Sequence, residues 1–95
     1  MADTITKIDF SGTKADELEL LEVLLVFRPF QDQSPQFASH YAEKLGMHWK
    51  RCNSLLLKWT DKRWWEYGVS VRTGWFTELG LEAARQASDL RAKRD

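Results

Sequence analysis

The feature that most constrains this chain is Gly46, which separates two short amphipathic stretches with almost nothing between them. Ahead of it, Phe37, Ala38, Tyr41, Ala42 and Leu45 fall at the three- and four-residue spacing of one helical face. Glycine then ends that helix, because the left-handed backbone of a helix terminus costs it least. Behind it, Met47, Trp49, Cys52, Leu55, Leu56 and Trp59 fall near one face of a second helix. Two helices this close in sequence must be joined by a tight turn. Ala42 is small enough to let them cross closely, and Cys52 and Leu55 supply inward apolar groups.

The continuation narrows the reading. Ser34 and Pro35 suit the cap and first position of the first of these helices, which is expected over 35–45, with its partner over 47–60. Ser39, His40, Glu43 and Lys44 are its outward positions. Arg63-Trp-Trp-Glu-Tyr-Gly68 has strand-forming aromatics, Val69-Ser-Val-Arg-Thr-Gly74 is turn-rich, and Trp75-Phe-Thr77 is strand-like again. A hairpin over 63–77 follows, then a helix over 78–93 with Thr77 as its N-cap.

This order resembles the winged helix-turn-helix superfamily, especially small bacterial DNA-binding domains of the MarR and ArsR type. In those, a segment of the form LT-x-x-G follows the wing, and here it reads Phe76-Thr-Glu-Leu-Gly80. The pattern departs at Thr60-Asp-Lys-Arg63, where a glycine is usual. The resemblance implies a mainly α fold with a small antiparallel β-hairpin: a three-helix core, a wing and a longer C-terminal helix. It also implies sequence-specific binding of double-stranded DNA by a small transcriptional regulator, with helix 47–60 entering the major groove.

The charge distribution agrees. The net charge is zero, but residues 1–34 hold three basic and seven acidic side chains, and residues 35–75 hold seven basic and three acidic. The positive excess falls on the expected recognition helix and wing, where phosphates would be met. On that helix the outward set is His48, Lys50, Arg51, Asn53, Ser54, Leu57 and Lys58. Arginine and asparagine match guanine and adenine edges, and Lys50 and Lys58 suit phosphates. Lys62, Arg63 and Arg72 belong to the wing, where basic residues of this superfamily reach the backbone or minor groove. Leu57 is an apolar residue in an otherwise polar set.

The rest reads as support. Ile8 and Phe10 alternate with polar residues, as in a short strand or an N-terminal arm. Thr13 and Asp16 read as cap and capping partner of a helix over 13–28, whose Leu18, Leu21, Leu24 and Leu25 are apolar and whose Asp16, Glu17, Glu19 and Glu22 favour its positive end. Leu79, Ala83, Ala87 and Leu90 form a narrow stripe on the last helix, the kind that packs on a partner helix, so a homodimer through that stripe is expected. Strand alternation leaves either Trp64 or Trp65 exposed, which would suit a protein partner. A protein-interaction module of the same fold, without DNA binding, is the alternative reading.

A chain of 95 residues holds one domain. A single cysteine excludes an internal disulfide and fits a cytoplasmic setting. No secretory signal or membrane span is read. His40, His48 and Cys52 match no zinc spacing, and no phosphate loop or nucleophile motif occurs. The reading is therefore a binding domain, not an enzyme, with no cofactor.

Overall fold

The computed structural model describes residues 7–27 and 37–94. The elements are α1 (Ala15–Phe27), α2 (Ala38–Lys44), α3 (Trp49–Asp61), β1 (Trp65–Glu66), β2 (Trp75–Phe76) and α4 (Glu78–Arg94). The mainly helical domain with a small antiparallel hairpin is as expected. The cap expected at Ser34 and Pro35 lies outside the described residues.

The α2–α3 turn forms as its glycine requires. Gly46 has φ 83°. Its N–H donates to the Glu43 carbonyl at 2.9 Å, and the Met47 N–H donates to the Ala42 carbonyl at 3.0 Å. These paired bonds satisfy carbonyls that a helix end would otherwise leave open. The end of α3 repeats the same closure. Arg63 N–H donates to the Thr60 carbonyl at 3.0 Å and Trp64 N–H to the Trp59 carbonyl at 2.8 Å. Here the left-handed position, φ 66°, is held by Arg63. The glycine missing from the sequence is thus replaced by an arginine in the conformation a glycine would take, at a steric cost of about 1 kcal/mol.

The hairpin is short. Trp65 pairs with Phe76 and Glu66 with Trp75. Thr77 N–H donates to the Trp64 carbonyl at 2.9 Å, and Thr77 Oγ1 accepts from Gly80 N–H at 2.9 Å, the expected cap of α4. Residues 67–74 do not extend as a wing. A 3-10 turn at Val71–Thr73 folds back against α2 and α3. The Trp65 indole N–H donates to the Val71 carbonyl at 2.9 Å and fixes that return.

The tryptophan expectation is corrected. Trp64 is 4% and Trp65 1% exposed. Trp65 enters the core with Trp59 and Phe76, its ring centroid 5.1 Å from Phe76. Trp64 precedes the strand, so alternation does not govern it. Its ring meets Phe10, 6.3 Å away, and its backbone lies against α4 at Gly80. A Cβ at Gly80 would lie 1.9 Å from the Trp64 carbonyl oxygen. Neither tryptophan offers a surface to a partner.

The α4 stripe is corrected as well. Ala83 and Ala87 are fully buried inside the chain, because α4 lies along α1 and small side chains let the two helices approach. Leu90 packs on the same core, and Leu79 remains partly exposed. Glu22 ties the helices together, accepting from Ser88 Oγ at 2.7 Å and pairing with Arg91. The two alanines of the stripe are an internal seam, and Leu79 is the part of it left exposed.

Three local expectations also shift. α1 starts at Ala15, and Thr13 instead closes a turn on the Phe10 carbonyl at 3.0 Å. Residues 7–10 form no strand, and Ile8 N–H donates to Gln86 Oε1 of α4 at 2.9 Å. Ser39, expected outward, is buried.

Gly80→Ala is expected to destabilise the domain by about 2–3 kcal/mol, since its methyl would meet backbone. Arg63→Gly should stabilise it by up to about 1 kcal/mol, and Gly46→Ala should cost about the same. Urea denaturation midpoints of the three variants check the order.

Candidate nucleic-acid interface

Helix α3 has three faces, set by its sequence. Cys52, Leu55, Leu56 and Trp59 form the buried one. Arg51 and Lys58, seven apart, lie on the flank facing α1. Lys50, Ser54, Leu57 and Asp61 are spaced four, three and four, and all are exposed to solvent.

The flank is not free. Arg51 makes a two-pronged contact with Asp16, Nε to Oδ2 at 3.1 Å and Nη2 to Oδ1 at 3.0 Å. This hydrogen bond holds the Asp16 carboxyl below the usual carboxylate range and raises the Arg51 guanidinium. Lys58 Nζ donates to Glu17 Oε1 at 2.8 Å, and the Trp59 indole N–H donates to Glu17 Oε2 at 2.8 Å. Glu17 is buried. Two of the expected DNA contacts are therefore internal ties between α3 and α1. Asp16 and Glu17, expected at the positive end of α1, are the partners in these ties.

Other expected contacts scatter. His48 is the N-cap of α3, its Nδ1 accepting from Lys50 N–H at 3.1 Å. Lys62 Nζ lies 4.6 Å from the Trp64 ring centroid, on the side of Asp9. Arg63 lines a groove of about 620 Å³ with Thr60, Trp65, Glu66, Tyr67, Trp75 and Thr77. Arg72 stacks on Phe37, 5.0 Å from its ring centroid. Val69 in the hairpin loop is fully exposed, and Arg72 is exposed as well.

What remains together is the outer face: Lys50, Ser54 and Leu57, bordered by Asn53. Asn53 is half-buried, and its Oδ1 is enclosed without a hydrogen-bond partner among the described residues. Trp49, expected inward, is 48% exposed. It stands in the first turn, against the His48 ring at 5.7 Å and with Lys50 Nζ at 5.7 Å. Leu57 is 49% exposed, on the outward side as its position implied.

Glu17 was the site residue missed, and its signal was present. It stands three and four residues before Leu20 and Leu21, on the apolar stripe of α1. A carboxyl there is buried and must find donors. Cys52 is an inert core thiol as expected, with burial pushing it up to about 11.

No group of three His, Cys, Asp or Glu side chains among the described residues could hold a metal ion. No described helix is long and apolar enough to cross a membrane. No protein family, curated protein or solved structure matches this chain.

Asp16 carries a lowered carboxyl in the folded state, so its contribution is complete above the usual carboxylate range and is lost as pH falls through that range. Both partners are part-exposed, which limits the pair to below about 1 kcal/mol. Asp16→Asn should lower stability by that small amount at neutral pH, and the difference should shrink as pH falls below the usual carboxylate range, as read by urea denaturation at each pH. Cys52 should resist a thiol reagent in the native protein and react only on unfolding.

Proposed function

We propose that this domain is a winged helix-turn-helix that binds double-stranded DNA with the outer face of α3. The observation that supports it is the set of polar groups on α3 that the fold does not use. Lys50 and Ser54 point to solvent. Asn53 borders them, and its enclosed Oδ1 has no hydrogen-bond partner among the described residues. Lysine, serine and asparagine are side chains that meet phosphates and base edges in the major groove. The helix that carries them follows a tight turn, the arrangement that places a helix in that groove.

The contact set is smaller than the basic excess of residues 35–75 suggests. Lys50 supplies phosphate affinity, with Arg72 at the α2 end. Arg51 and Lys58 remain with α1. Ala83 and Ala87 are taken up inside the chain, so a second copy would meet the α4 stripe at Leu79.

The protein-interaction reading is favoured by one observation, the half-exposure of Trp49 and Leu57 beside a zero net charge. Its surface is then α3, since Trp64 and Trp65 are closed.

Tryptophan fluorescence during titration with a mixed-sequence duplex, repeated over a salt series, tests the proposal. Binding should weaken with salt, and Lys50→Ala should reduce the salt slope by about 1. Lys62→Ala should leave the slope unchanged. Asn53→Ala should bind more weakly while being as stable as the parent or more so. A duplex that is not bound even at low salt overturns the DNA reading and leaves the protein partner.

A further inference from the structure

We infer that Leu57 makes α3 a reader of thymine methyl groups, so that the preferred duplex carries a thymine whose C5-methyl contributes to affinity. The inference rests on the DNA-binding reading and names its specificity.

Leu57 is not part of the core. The inward positions of α3 are already filled by Cys52, Leu55, Leu56 and Trp59. Leu57 lies on the opposite side, three residues after Ser54, four after Asn53 and seven after Lys50, so all four border one face. It is an apolar side chain framed by a cation, two hydrogen-bonding groups and, four residues on, Asp61. The other exposed apolar side chain of α3, Trp49, stands eight residues before it, with Asn53 between them.

The floor of the major groove is a row of donors and acceptors, with one apolar group among the four standard bases, the thymine methyl. A leucine has no donor or acceptor. Against the other base edges it would only strip water from polar atoms, whereas against a thymine methyl both surfaces leave water together. Seven residues of helix separate Leu57 from Lys50, about 10 Å along the axis. That is on the order of three base-pair steps. The thymine should therefore lie about that far from the phosphate met by Lys50.

A randomised duplex pool, selected by the full chain, provides the site. Each thymine of the selected duplex is then replaced singly by uracil, which removes the methyl and keeps every hydrogen-bonding edge. Uracil at one position should weaken binding about three- to tenfold. Leu57→Ala should bind the thymine and uracil duplexes alike, and Leu57→Met, which stays apolar, should keep the difference. Both variants change an exposed side chain, and their thermal unfolding confirms the fold. A selected site where no uracil matters, or where Leu57→Ala still discriminates, overturns the inference and leaves DNA binding standing. Binding to the pool without enrichment of any sequence overturns it in the same way. No binding to the pool at all overturns both.

Discussion

The structure depends on where the Trp59 indole N–H goes. The ring is fully buried, and an unpaired donor there would cost about 1–3 kcal/mol. The Glu17 carboxylate of α1 meets it, and Lys58 balances the charge that Glu17 brings inside. The same ring packs on Trp65 and Phe76 of the hairpin, with centroids 6.1 Å away in both cases. Its carbonyl accepts the bond that closes the end of α3. One residue thus fixes α1 against α3 and α3 against the hairpin, by a hydrogen bond in one direction and aromatic contact in the other.

This arrangement changes the meaning of the charge pattern. An acidic first third and a basic middle look like a domain with a face prepared for an anion. In the folded chain much of that asymmetry is complementarity between α1 and α3. Asp16 and Glu17 take up Arg51 and Lys58. A basic count along a sequence is therefore an upper limit on the charge available to a partner, and α1 is the element that sets how much is left.

Local rules were legible, and rules that depend on which element faces which were not. Gly46, Thr77, Cys52 and Leu57 behave as their periodicity and capping chemistry require, because each depends only on neighbours in sequence. Arg63 was not legible, since nothing local announces a left-handed arginine; the missing glycine was visible, and its replacement was not. Ala83 and Ala87 form the same stripe whether the facing helix is a second copy or α1, so spacing alone does not choose. Trp64 misled because the chain turns between it and Trp65, and strand alternation begins one residue later. Glu17 was readable from its place among leucines. In the candidate site, the outer face of α3 was legible and the withdrawal of its flank was not, because that needs the position of α1.

The contact between Gly80 and the Trp64 carbonyl has a mechanical consequence. With no clearance for even a methyl group, the α4 backbone at Gly80 rests directly on the Trp64 backbone at the base of the hairpin. Any side chain larger than hydrogen at that position would have to push helix and hairpin apart, so the distance between them is set by backbone against backbone.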